Sequence, residues 1–207
     1  MKNPDRLQSF TKLCLGSFVR RAFRMRCHDA AFVPDHGSAV IVANHSSYLD
    51  PILLSAVSPR PIRFFVLSDI YKLWWCRWIL KAYGTVPVRG EASRGALGTG
   101  RELIRDGHLI GLFPEGQRSF DGVVGKGYPG ALLLAIQGGV PVIPVGISGT
   151  YESYPRWRKI PRLWPVSVAF GSPRHYEEVE KPNRRWMDQE TENLMAEIRR
   201  LVKGLEG

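Results

Sequence analysis

An α/β domain with a largely parallel central sheet flanked by helices, entered through an N-terminal basic amphipathic helix, is the architecture this sequence predicts. Three observations carry it. Short apolar runs alternate with helical patterns from Ala39 onward, as strands joined by crossover helices do. The chain has 207 residues, long enough for one sizeable core and short for two full domains. Hydrophobic residues make up 44% and charged residues 23%, an ordinary globular usage that excludes disorder, collagen and an integral membrane bundle.

Residues 1–26 carry Lys2, Arg6, Lys12, Arg20, Arg21, Arg24 and Arg26 against the single acid Asp5, while Leu7, Phe10, Cys14 and Phe18 recur at helical spacing. A helix of this kind lies in a bilayer interface, apolar face down and cations among the phosphates, or packs on its own domain. The expected division is a membrane-association helix over 1–26 and a single domain over 27–207. A strand over Ala39–Ala43 then runs into a helix whose start is marked by Asp50 as N-cap and Pro51 as first helical residue. Next come a strand near Ile62–Leu67, a helix near Ile70–Ala82, a strand near Thr85–Val88, a helix over Ala92–Asp106 and a strand over Leu109–Phe113. Gly127 to Tyr151 is the longest uncharged stretch, but six glycines with Pro129, Pro141 and Pro144 resolve it into a helix over Gly130–Gln137, a turn and a buried strand over Val142–Ile147. A strand over Val166–Phe170 and a helix over Met187–Lys203 complete the order.

Lysine plus arginine number 29 against 19 acids, a net charge of +10 that calls for an anionic partner, either nucleic acid or anionic lipid. Cys14, Cys27 and Cys76 are too scattered for a zinc site and too few for a disulfide framework, which suits a reducing compartment. The apolar piece Leu13–Val19 runs into Arg20 and Arg21 with no small-residue cleavage site, so secretion is not expected.

Parallel sheets bind ligands beyond the carboxyl ends of their strands, which directs attention to the residues after each strand. The first strand leads into Asn44, His45, Ser46, Ser47, Tyr48, Leu49 and Asp50. On a regular helix His45 and Asp50 would point about 140° apart; in a turn they can meet. A carboxylate accepting from one ring nitrogen fixes the tautomer and leaves the other nitrogen as a general base. The residues alone leave two readings open: a catalytic dyad, or a capping Asp beside an unrelated loop His. After the strand at Leu109 the turn Phe113-Pro114-Glu115-Gly116-Gln117-Arg118-Ser119 carries a guanidinium suited to a phosphate and a carboxylate able to accept from a substrate hydroxyl. Lys126 lies between Gly125 and Gly127, where backbone approaches an anion closely, yet the phosphate-loop pattern is absent. No G-x-S-x-G elbow, paired-cysteine motif, H-E-x-x-H or G-x-G-x-x-G occurs. With no obvious protein nucleophile, His45 is expected to activate a hydroxyl brought by the substrate.

These residues resemble the glycerolipid acyltransferase family, in the family's motif order from about Val33 to Gly149. Asn44, His45 and Asp50 match N-H-x-x-x-x-D; Phe113 to Ser119 match F-P-E-G-x-R-S with Gln117 in place of the usual Thr; Val140 to Gly146 resemble the fourth motif, and Lys126 the lysine before a Gly-Ala segment. The second motif departs, since Arg89 falls one position early after Gly84.

The resemblance implies transfer of a fatty acyl group from acyl-CoA or acyl carrier protein to the hydroxyl of 1-acyl-glycerol-3-phosphate, giving phosphatidic acid, with no metal and no cofactor. It implies His45 and Asp50 as catalytic residues and Arg89, Glu115, Gly116, Arg118 and Lys126 as substrate-binding ones. Another lyso-lipid acceptor, such as a lyso-ornithine lipid, is the alternative, favoured by the displaced Arg89. A basic module binding anionic lipid or nucleic acid is the alternative from another class, disfavoured by the ordered motifs. The expected place is the cytoplasmic face of the cell membrane, held peripherally on an anionic surface. Trp74, Trp75 and Trp78 crowd one short helix that suits an acyl site or ordinary core. Tyr154, Arg156, Trp157, Arg158, Lys159, Arg162 and Trp164 interleave aromatics with cations, which suits a headgroup region or single-stranded nucleic acid.

Overall fold

Val40, Ile41 and Val42 are apolar in succession because both faces of their strand are covered. The structure, a computed structural model, describes residues 16–67, 85–88, 94–179 and 181–206. Among the described residues seven strands form one sheet: β1 (Arg26–His28), β2 (Ala39–Ala43), β3 (Ile62–Leu67), β4 (Val86–Val88), β5 (Leu109–Leu112), β6 (Val142–Ser148) and β7 (Ser167–Phe170), in the order β1-β7-β6-β2-β5-β3-β4. β6, β2, β5, β3 and β4 are parallel, β7 is antiparallel to β6, and β1 is parallel to β7. The expected largely parallel sheet is what forms, with its last two strands reversed.

Residues 16–22 are helical (α1), followed by α2 (Asp50–Val57), α3 (Arg94–Arg105), α4 (Gly130–Gln137), the single turn α5 (Thr150–Ser153) and α6 (Arg184–Leu205). Ile41 joins Leu53, Leu54, Phe64, Ile143, Val145 and Phe170 in a core on one side, against which Val19 and Ala22 of α1 also pack. Val40 and Val42 join Ile110, Ala135, Leu194, Met195 and Ile198 on the other, beneath α3, α4 and α6. Alternate residues of β2 thus enter opposite cores, the pattern of a parallel strand buried on both faces. Gly111 of β5 is paired with Phe64 of β3, and a Cβ there would fall 2.3 Å from the Phe64 ring, so only glycine lets that ring lean across β5.

Several expectations change at the edges. α1 ends at residue 22, Arg24 takes φ 43, and the chain turns into β1, so residues 1–26 are not one helix. The described part of that segment is docked on the domain: Arg20 Nε donates to the Ala56 carbonyl at 2.7 Å. β1, with all three side chains exposed, carried no apolar signal and is held through its backbone, Arg26 N–H donating to the Val166 carbonyl at 3.0 Å. The helix expected near Ile70–Ala82, with its tryptophans, lies outside the described residues. Among the described residues no helix is long and apolar enough to cross a membrane.

Candidate active site

β2, β5 and β6 run the same way, so the loops that follow them meet at one edge of the sheet. Asn44, buried just past β2, donates its side-chain N–H to the Ile147 carbonyl at 2.9 Å and accepts from the Ile147 N–H at 2.8 Å. A side-chain amide thereby makes the last rung between β2 and β6. His45 follows in a loop, and its Nδ1 lies 2.7 Å from Asp50 Oδ2. Asp50, fully buried, also accepts at Oδ2 from the backbone N–H groups of Ser46 at 2.7 Å and Ser47 at 2.8 Å. Asp50 is the first helical residue with Pro51 behind it, and Leu49 occupies the N-cap, one position earlier than expected. Its carboxylate therefore turns back over the loop and holds the histidine.

The loop after β5 grips His45 on its remaining sides. The Phe113 ring stacks on the imidazole with centroids 4.1 Å apart and planes inclined by 15°. Phe64 stacks behind Phe113 at 5.7 Å, in the space Gly111 leaves. Glu115 accepts the His45 N–H at Oε1 (2.8 Å) and the Gly125 N–H at Oε2 (2.9 Å). Ser119 N–H donates to the His45 carbonyl at 2.7 Å. Burial pushes the Glu115 carboxyl above its ordinary value, against the lowering effect of the Gly125 and His45 N–H groups.

His45 retains a side chain 18% exposed, and its Nε2 has no partner among the described residues. With Nδ1 tied to a carboxylate, the free nitrogen can take a proton from an incoming hydroxyl. Arg118 lies with Cζ 3.4 Å above the centre of the Tyr48 ring, a cation–π contact that fixes the guanidinium plane and leaves its edge donors free for an anion.

An acyltransferase family model matches residues 24–148, more than half of the chain, with the whole of this loop system from β2 to β6 inside it. The chain belongs to the acyltransferase family. It is 33% identical over 119 residues to the chloroplastic 1-acyl-sn-glycerol-3-phosphate acyltransferase BAT2 of Brassica napus, covering 56% of this chain and 34% of that relative. It is 25% identical over 177 residues to the 1-acyl-sn-glycerol-3-phosphate acyltransferase of Bacillus subtilis strain 168, covering 84% of this chain and 86% of that one. The chain thus spans about a third of the plant relative's length and most of the bacterial one's. The crystal structure of the 1-acyl-sn-glycerophosphate acyltransferase PlsC from Thermotoga maritima shares the fold: TM-score 0.80 at 24% identity, over 100% of this chain and 84% of that one.

In this loop system His45, Asp50, Glu115, Gly116 and Arg118 come together as the motifs imply, whereas Arg89 lies outside the described residues. Lys126 is exposed, one residue beyond the Gly125 N–H that Glu115 accepts. Glu115 corrects an expectation: it is buried with both oxygens engaged by main chain, so it positions two loops instead of facing a substrate hydroxyl. Gly116, at φ 70, lets the chain reverse between that inward carboxylate and the guanidinium over Tyr48. Asn44 and Phe113 were visible only as motif letters; their roles depend on Ile147 and His45, which no local pattern connects to them. Tyr48, the aromatic inside the His-to-Asp loop, marks in sequence the stacking partner of Arg118.

Proposed function

We propose that the chain esterifies the free hydroxyl of 1-acyl-glycerol-3-phosphate with a fatty acyl group from acyl-CoA or acyl carrier protein, giving phosphatidic acid. The observation that carries the reading is the 2.7 Å contact of His45 Nδ1 with buried Asp50, which leaves Nε2 as the free base. His45 Nε2 takes the hydroxyl proton as the oxygen attacks the thioester carbon, and Asp50 stabilises the imidazolium that forms. The C–S bond breaks, the imidazolium returns its proton to the departing thiolate, and the products are an ester and a thiol. Arg118, flat on Tyr48, receives the acceptor's phosphate, with Lys126 and Arg89 as further cations. The reaction as written draws only on its two substrates. The relatives named for 1-acyl-sn-glycerol-3-phosphate support this acceptor, while the early position of Arg89 favours a second reading with another lyso-lipid, such as a lyso-ornithine lipid. A lipid acceptor and a net charge of +10 support a peripheral place on an anionic membrane, at the cytoplasmic face.

The test is free-thiol release from palmitoyl-CoA by purified protein in detergent, with lysophosphatidate, with lyso-ornithine lipid, and with no acceptor, beside His45→Ala. Release that requires lysophosphatidate and His45 supports the proposal; release with the ornithine lipid alone moves the acceptor to the second reading. Release without any acceptor, or none with either lipid, overturns it.

A further inference from the structure

The loops that follow β5 and β6 expose a group of large apolar side chains close together in the chain. Phe120 is 67% exposed, Trp157 69%, Ile160 76% and Leu163 69%. Cations are set among them: residues 154–164 contain Arg156, Arg158, Lys159 and Arg162 and no acid. The two loops are fastened to each other and to the body of the protein. Arg156 lies with Cζ 3.9 Å over the Phe120 ring and donates from Nη1 to the Arg118 carbonyl at 3.1 Å. Arg162 donates from Nε to the Glu152 carbonyl at 2.6 Å and from its backbone N–H to the Ser153 carbonyl at 2.9 Å.

We infer that this rim is a docking surface for an anionic lipid bilayer, separate from residues 1–26 and continuous with the mouth of the active site. Exposed tryptophan, isoleucine and leucine interleaved with arginine and lysine are the side chains that enter the headgroup boundary, apolar bodies toward the acyl chains and cations at the phosphates. An acidic protein would be matched by the four cations but not by the apolar side chains between them. The surface adjoins the chemistry directly: Ser119, next to Phe120, holds the His45 carbonyl, and the Tyr154 carbonyl accepts from Ser47 Oγ at 3.0 Å. A bilayer seated there presents lipid hydroxyls at the loop that carries His45. The inference rests on the acyltransferase reading for its consequence, and on the exposed rim alone for the docking itself.

The experiment uses the full chain and sedimentation with vesicles of phosphatidylglycerol mixed with phosphatidylcholine, against phosphatidylcholine alone. The variants are the triple substitution Trp157→Ser, Ile160→Ser, Leu163→Ser, and separately Lys159→Gln, each checked by thermal melting. Wild type is expected to sediment with the anionic vesicles, the triple variant to partition at least about tenfold less and Lys159→Gln about fivefold less in a salt-dependent way. Turnover of a short-chain, monomeric lysophosphatidate is expected to be unchanged in both. Undiminished sedimentation of the triple variant overturns the inference and leaves membrane contact to another part of the chain. Loss of turnover on the monomeric acceptor overturns it in favour of an acceptor-binding role. Wild-type binding to acyl carrier protein or a single-stranded oligonucleotide that the triple variant loses, with no vesicle binding, overturns it in favour of that partner. Sedimentation is read independently of thiol release, so failure of the catalytic reading and failure of the docking surface are distinguishable.

Discussion

The ring of Phe113 lies flat against the imidazole of His45, with centroids 4.1 Å apart. On the proposed mechanism, an aromatic face attracts the imidazolium formed when His45 takes a proton, and the stacking holds the ring in plane with its bond to Asp50. Phe113→Leu is expected to lower kcat by about tenfold, with the KM for both substrates unchanged and the melting temperature close to wild type. Phe113→Tyr keeps the aromatic face and most of the rate. Steady-state kinetics on the pair checks this, and equal loss in both variants would assign Phe113 to packing alone.

Asp50 Oδ2 receives three donors, and its Oδ1 is buried with no partner among the described residues. In Asp50→Asn the amide NH₂ takes that second position without an acceptor, at about 1–3 kcal/mol of stability. On the proposed mechanism the carboxylate that steadies the imidazolium is lost as well, so kcat is expected to fall by roughly three to four orders of magnitude. Chemical denaturation and single-turnover kinetics separate the two effects.

Glu115 holds its proton more tightly in the folded protein than in the unfolded chain, because burial raises its carboxyl above the ordinary 4.5. Between the ordinary value and the raised one, unfolding releases a proton, so this group's contribution to stability declines as pH rises through that window. Glu115→Gln removes the slope and leaves one of the two backbone N–H groups facing an amide that cannot accept, at about 1–3 kcal/mol. Urea denaturation of both proteins across the mildly acidic range reads the slope and the offset together.

Arg118 over Tyr48 makes a separable prediction about the acceptor. Arg118→Ala is expected to raise the KM for lysophosphatidate about tenfold or more, and Tyr48→Ala by a smaller factor, about three- to tenfold. Tyr48→Phe retains the ring and the wild-type KM, and the KM for palmitoyl-CoA stays fixed in all three. A parallel rise in both KM values would show that the loop had collapsed instead.

Far from the site, burial pushes Tyr176 up to about 12, helped by the 2.8 Å hydrogen bond its hydroxyl donates to Glu190 on α6. The folded state keeps this proton above the ordinary value of 10, so stability contributed here falls as pH rises between the two values. Tyr176→Phe abolishes that alkaline slope and costs about 1 kcal/mol near neutrality. Melting curves at about pH 9 and about pH 11 make the comparison.

Much of this site was legible because its residues cluster in two short segments. His45 and Asp50 cannot meet on a helix, so their pairing calls for the turn that forms, although the residues alone left open whether they pair. The uninterrupted apolar run of β2 likewise required cover on both faces. What stayed hidden depends on contacts remote in sequence. Glu115 reaches the backbone of His45, 70 residues away, and backbone donors leave no mark in composition. β1 is built from Arg26, Cys27 and His28, whose side chains carry no strand pattern, and the antiparallel direction of β7 leaves none in its own residues. Within residues 16–22 the apolar spacing divides between two surfaces that sequence does not distinguish: Val19 and Ala22 pack on the core, while Phe18 of the expected stripe is exposed.

Because the Asn44 amide completes the last rung to Ile147, the loop that carries His45 is tied to the centre of the sheet as well as to the loop after β5. Between β6 and β7, the exposed side chains of Trp157, Ile160 and Leu163 are free to change without displacing His45, whereas the Tyr154 backbone, which accepts from Ser47 Oγ, must stay in place. The boundary between what must stay constant and what is free to diversify falls inside that one segment.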